Sequence, residues 1–221
     1  MEWVKKNWLM LIIIVIAALP LIESLLPLTI SFNGGGLSFG YIIPEHIRAR
    51  VPHAGRQLSV WGLPLHLTGE WAIRMMVITL TCTPLCILFG NSKILRYKKV
   101  FGIFTFLYTV LHLTFYLADH NVFEIFTEMN LILALIATII IIPLGITSNK
   151  LSMRILKKNW KKLQQFAYAA AIASVLHLAL LGKGSWLLYT IILAAGFILR
   201  IPEVKAYFRK GRSSYSVESA A

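Results

Sequence analysis

Two stretches decide how this chain folds: Gly102-IFTFLYTVLHLTFYLA-Asp119 and Gln164-QFAYAAAIASVLHLALL-Gly182. Each is apolar and long enough to cross a membrane as a helix, which takes roughly 20 such residues. Each carries a single histidine, His112 and His177. An ionisable side chain inside a membrane span is costly, so it marks a functional position by default. Two of them on different helices suggest a shared ligand.

Similar apolar runs lie on either side. The expected spans are 8–30, 71–89, 100–118, 131–148, 164–182 and 185–201. The expected fold is therefore an all-α integral membrane protein, a six-transmembrane-helix bundle. The composition agrees: of 221 residues, 57% are hydrophobic and only 14% charged, which excludes an ordinary soluble domain. The first run follows Lys5 and Lys6 as a signal peptide would. It is too long, however, and holds Pro20 and Glu23 without a small-residue cleavage site, so 1–30 reads as a retained first helix. About 20 polar residues follow the last run, and 202–221 reads as a tail, not a domain.

The net charge of +13 would suggest nucleic acid in a soluble protein. Here the basic residues sit in alternate short loops, so orientation in the bilayer explains them and no nucleic-acid partner is implied. Lys93, Arg96, Lys98 and Lys99 fill one loop; Lys150, Arg154, Lys157, Lys158, Lys161 and Lys162 fill another. The 119–130 loop has Asp119, Glu124 and Glu128 but no base, and the 182–185 turn has only Lys183. The positive-inside rule then puts both termini in the cytoplasm. The 31–70 segment, with Arg48, Arg50 and Arg56, is the exception on the outer side. It reads as a periplasmic loop, either a plain connector or a docking surface, since connections of this length are often functional.

With this topology both histidines lie roughly 18–20 Å from the inner ends of their helices, at matched depth in the outer half of the membrane. Paired imidazoles from two helices suit haem iron. The plainer alternative is one interhelical hydrogen bond each. Around them, Tyr108 and Tyr116 lie one turn either side of His112 and read as cavity wall or as packing aromatics. Ala169 to Ser174 gives the fifth helix a shaved surface, for a flat ligand or for close packing. Arg74 is either the i,i+4 partner of Glu70 or the cation that holds a haem propionate. His66 is expected to assist there or to serve as an alternative ligand. Cys82 and Cys86 read as inert buried thiols, and Pro84 and Pro143 as bends in their helices.

Thr68-Gly69-Glu70-Trp71-Ala72-Ile73-Arg74, Thr83-Pro84-Leu85, Leu111-His112-Leu113, Trp160-Lys161-Lys162-Leu163 and Val175-Leu176-His177 together resemble the ferric-reductase-like transmembrane family. The resemblance covers 66–201, five of the six expected spans. Within that family the chain is most similar to haem-binding subunits of bacterial periplasmic methionine sulfoxide reductase systems. The resemblance implies a b-type haem protein of the inner membrane. It would pass electrons from a cytoplasmic flavin reductase to a periplasmic molybdopterin enzyme that repairs oxidised methionine. His112 and His177 match the family's principal haem histidines. Relatives usually carry a further histidine thirteen residues before the second of these; here that position is Gln164, and the equivalent position before His112 is Lys99. One haem is therefore expected, not two. A flavin (FMN) or a quinone near Trp160 and Gln164, beside the basic inner loop, is the expected inner carrier. Two rivals are a ferric or cupric reductase of the same fold acting without a protein partner, and a colourless six-helix transporter with the histidines lining its pathway.

Overall fold

The computed structural model describes residues 2–25, 28–33, 36–41 and 61–208, with side chains for 7–22 and 61–208. Helix α1 runs Glu2–Leu25. Strands β1 (Leu28–Asn33) and β2 (Gly36–Tyr41) then pair antiparallel, Asn33 opposite Gly36. The rest is helical: α2 Gly62–Phe89, α3 Ile94–Asp119, a 3-10 turn Val122–Phe126, α4 Met129–Ile146, α5 Lys150–Leu156, α6 Lys158–Gln165, α7 Ala167–Leu180 and α8 Ser185–Ile198. A short α9, Pro202–Phe208, follows α8 at a bend of 80°. Arg48, Arg50, Arg56 and the last thirteen residues of the tail lie outside the described residues.

Among the described residues, four helices are long and apolar enough to cross a membrane: α2, α3, α4 and the joined α6–α7 segment Lys158–Leu180. A fifth counts if α8 and α9 are one bent span. The expected span at 185–201 is cut short because Pro202 has no N–H to continue the helix. The fourteen residues of α8 reach only about 21 Å, less than the ~30 Å hydrocarbon core. In α1 the described apolar stretch is Asn7–Ile22, and the chain is extended by Leu28, two residues before the span was expected to end. At α2 the deviation runs the other way. Residues 62–70, expected as loop, are helix. Pro64 stands in the first turn, where its missing N–H would have had no partner in any case, and the Thr68 hydroxyl donates back to the Pro64 carbonyl at 2.6 Å.

The core lies where α2, α4 and α7 meet. Ile73, Met76, Val77 and Leu80 pack on Ala137 and Ile141 and on Ala170, Ala171 and Ala173. Ala170 and Ala171 are fully buried, so the shaved surface of this helix serves close helix packing. Large apolar side chains face outward instead: Val15 and Ile16 on α1, Ile139 on α4, Leu180 on α7 and Ile191 on α8. In lipid such a face is solvated and stable. Pro84 and Pro143 sit within continuous helices, and Pro84 serves as a contact: a Cβ at Gly196 of α8 would meet its Cγ at 3.1 Å. Cys82 is buried and donates to the Ile78 carbonyl, which suits an inert thiol.

Helix α1 joins through a second cluster in which Ala17 packs with Met75, Phe104 and Tyr108. The Tyr108 hydroxyl, wholly buried, donates to the Ala17 carbonyl at 2.7 Å. Tyr108→Phe is expected to lower stability by about 1 kcal/mol, the typical net worth of such a bond, read from thermal unfolding in detergent. An unchanged midpoint would mean that α1 does not seat here.

Candidate functional site

His112 stands on α3, seven residues before its end, and His177 on α7, three residues before its end. His112 Nδ1 lies 2.8 Å from the Leu65 carbonyl of α2. His177 Nδ1 lies 2.7 Å from the Asn130 carbonyl at the start of α4. A carbonyl only accepts, so each Nδ1 must carry the proton and donate. In the neutral ring this leaves Nε2 with a free lone pair on both histidines. It is the arrangement in which a second partner fixes the tautomer and aims the ligating nitrogen.

Both rings line one cavity of about 360 Å³, between α2, α3, α4 and α7. Its inner wall is apolar, with Ile73, Met76, Ala137 and Ile141. Gly69 of α2 lets the His112 ring approach the helix backbone. A Cβ there would stand 2.7 Å from Cε1 and 2.9 Å from Nδ1 of His112. Among the described residues no three His, Cys, Asp or Glu side chains are grouped to hold a metal ion. Two neutral imidazoles across a broad apolar cavity suit a group that brings its own equatorial ligands, as haem does.

The outer end of the cavity is polar. Lys183, in the turn between α7 and α8, donates from Nζ to His66 Nδ1 at 2.9 Å. His66 Nε2 faces Glu70 Oε1 at 3.3 Å, and Arg74 donates to Glu70 Oε2 at 2.9 Å. Burial pushes the Lys183 ammonium below the ordinary lysine value; Glu70 pulls it back and Arg74 pushes it further down. Lys183, His66 and Glu70 line the cavity. Arg74 is not among the lining residues: it is held by Glu70 and lies over the Trp71 ring at 4.8 Å. The i,i+4 reading of Arg74 fits, and a direct propionate contact from it does not. His66 has both nitrogens occupied, one by Lys183 and one by Glu70.

Tyr116 lines the cavity, its ring stacked on His120 at 4.7 Å between centroids. Its hydroxyl is buried and has no hydrogen-bond partner among the described residues. Tyr108 faces α1, in line with the packing alternative of its two readings. Lys183 was read from sequence only as a loop charge. Its lone position in a four-residue outer turn near His177 was the available signal.

Trp160 and Gln164 lie elsewhere. Gln164 stands thirteen residues before His177, roughly 20 Å along the helix axis. Gln164 Nε2 donates to the Leu144 carbonyl at 3.3 Å, and Trp160 Nε1 to the Thr147 carbonyl at 3.0 Å. Both line a second cavity of about 470 Å³, with Lys98, Lys99 and Lys161 around it.

A family model described as the ferric reductase like transmembrane component matches residues 68–175. Those residues include α3, α4 and most of the site, and end two short of His177. The chain is 39% identical over 119 residues to a protein-methionine-sulfoxide reductase heme-binding subunit MsrQ of Xanthomonas campestris pv. campestris (strain B100), covering 51% of this chain and 55% of the relative. It is 36% identical over 122 residues to the MsrQ heme-binding subunit of Rhizobium meliloti (strain 1021), covering 52% and 56%. The matched part thus spans about half the length of these relatives. Segment 68–175 belongs to the ferric-reductase-like transmembrane family, in a multi-pass protein of the bacterial inner membrane that is similar to MsrQ heme-binding subunits.

Proposed function

We propose that this chain is a b-type haem electron-transfer subunit of the inner membrane that serves a periplasmic methionine sulfoxide reductase. The observation that carries this reading is the matched pair of Nδ1–carbonyl hydrogen bonds, which leaves two Nε2 lone pairs at one cavity. His112 and His177 are the residues that would hold the iron. Haem, when bound there, supplies one-electron redox chemistry. Leu65 and Asn130 orient the two rings, Gly69 makes room for one of them, and the apolar wall keeps water from the site. The relatives' names, heme-binding subunits of a methionine sulfoxide reductase, support the same reading. So does the basic character of alternate loops, which favours six membrane crossings with both termini cytoplasmic. The oxidising partner in this reading is a periplasmic molybdopterin enzyme and the reducing partner a cytoplasmic flavin reductase.

The pair lies toward one end of α3 and α7, so a carrier is needed at the other. The second cavity, walled by Trp160, Gln164, Lys99 and Lys161, is our candidate for FMN or a quinone. Its lysines favour an anionic or electron-rich group. The double substitution Gln164→Leu, Lys161→Glu is expected to lower extractable flavin or quinone at least tenfold while leaving the haem spectrum in place. Equal recovery from variant and parent would remove this cavity from the proposal.

The decisive test is the visible spectrum of the purified protein, oxidised and reduced. A low-spin b-type spectrum is expected. A colourless preparation from haem-replete cells would return the histidines to a transport pathway or to plain helix packing.

A further inference from the structure

We infer that Lys183 and Tyr116 are the two outer anchors for the carboxylates of the bound haem, with His66 and Glu70 holding Lys183 in position. The inference rests on the haem reading and assigns residues that sequence reasoning had given to Arg74.

Two independent features point to an acidic ligand at this end of the cavity. The first is a charge imbalance. The chain Lys183–His66–Glu70–Arg74 carries two basic side chains, Lys183 and Arg74, against one carboxylate, and that carboxylate is already held by Arg74 at 2.9 Å and faced by His66 at 3.3 Å. Lys183 lines the cavity and Arg74 does not, so the uncompensated charge belongs to the ammonium. Among the described residues its hydrogen-bond partner is His66, and an ammonium has three protons to give. The second is the Tyr116 hydroxyl, which lines the same cavity and is buried without a partner among the described residues. A buried hydroxyl left without an acceptor is costly, and water, an ion or a ligand group is what satisfies it. Stacking on His120 holds the Tyr116 ring in place.

Their placement fits. Tyr116 lies one helical turn beyond His112, and Lys183 lies six residues beyond His177. Each anchor is therefore displaced from its histidine in the same outward direction. The inner lining carries Ile73, Met76 and Ala137 beside Thr109, Thr138 and Ser174; the two threonine hydroxyls are spent on the Thr105 and Ala134 carbonyls of their own helices, so this end holds no cation for a carboxylate. Charge-assisted hydrogen bonds to a carboxylate are the strong class, and an apolar surround strengthens them further.

The test is a cycle of substitution against ligand chemistry. Parent protein and Lys183→Met are each reconstituted with haem and with haem dimethyl ester, whose carboxylates are blocked. With haem, Lys183→Met is expected to shift the one-electron reduction equilibrium about tenfold toward the oxidised form, close to 59 mV. Loss of a cation disfavours the added electron. Haem release to excess apomyoglobin is expected to rise about tenfold. With the dimethyl ester, parent and variant are expected to coincide in release, while the potential still shifts because the lysine charge acts on the iron through space. Tyr116→Phe is expected to raise haem release several-fold with haem and not with the ester. Lys183→Arg keeps the cation and is expected to hold the potential within twofold of the parent equilibrium. Lys183→Gln, nearer in polarity than methionine, is expected to reproduce Lys183→Met. An equal rise in release with haem and with its ester, or no rise with either in proteins that keep the low-spin spectrum, would overturn the assignment. A parent that takes up neither group would overturn the haem reading itself and this inference with it.

Discussion

His177→Ala in the haem-loaded protein is expected to turn a six-coordinate low-spin spectrum into a five-coordinate high-spin one and to cut retained haem more than tenfold. His112→Ala is expected to do the same. The reason lies in how little else the cavity offers the iron. His66 is the single histidine of α2, and its two nitrogens are taken by Lys183 and Glu70. His120 stacks on Tyr116 and lies 3.5 Å from Asp119. Among the described residues no third histidine is poised to replace the lost one. Imidazole added at millimolar concentration is expected to restore the low-spin spectrum of His177→Ala, because alanine leaves the volume of a ring. Either variant keeping its six-coordinate spectrum would remove that histidine from the iron.

Gly69→Ala comes second, and here two effects of known size oppose each other. Alanine inside a helix is favoured over glycine by about 1 kcal/mol, so at most exposed positions this change stabilises. At Gly69 the new methyl would stand 2.7 Å from Cε1 and 2.9 Å from Nδ1 of His112. The ring cannot retreat without stretching its 2.8 Å bond to the Leu65 carbonyl. Overpacking of this kind costs about 1–3 kcal/mol, and the bond is worth a further 1 kcal/mol or so. The net sign is therefore destabilising, with haem occupancy expected to fall about tenfold. The haem-to-protein ratio and the thermal midpoint check it together. A variant that gains stability and keeps its haem would show that the ring does not lie against α2.

The histidine pair was legible because membrane burial makes an imidazole conspicuous, and the core of four helices was legible from apolar length. What was not legible depended on small angles. Four residues along a helix turn through about 400°, so a residue one turn away is offset by about 40°. Tyr116 is offset one way and faces the cavity; Tyr108 is offset the other way and meets Ala17 of α1. Spacing alone puts both on one face. Residues 62–70 looked like loop because Gly62, Pro64 and Gly69 are helix-poor types, yet Pro64 fits the first turn of α2 and Gly69 makes room for the His112 ring. Arg74 against Lys183 was a question of reach across the bundle: Arg74 is spent on its own helix, and Lys183 arrives from a turn more than a hundred residues later.

Both histidine rings of the proposed haem site are indexed to main-chain oxygens, those of Leu65 and Asn130. An ordinary side-chain change at 65 or 130 leaves the oxygen in place. In a saturation mutagenesis screen these two positions are expected to tolerate most residues of similar bulk, although they set the orientation of the redox centre. Homologues are free to drift there without losing the geometry. The constraint moves instead to whatever holds the neighbouring backbone at that spacing, so selection on this site falls on helix packing around Gly69 and the start of α4, at a distance from the atoms that do the orienting.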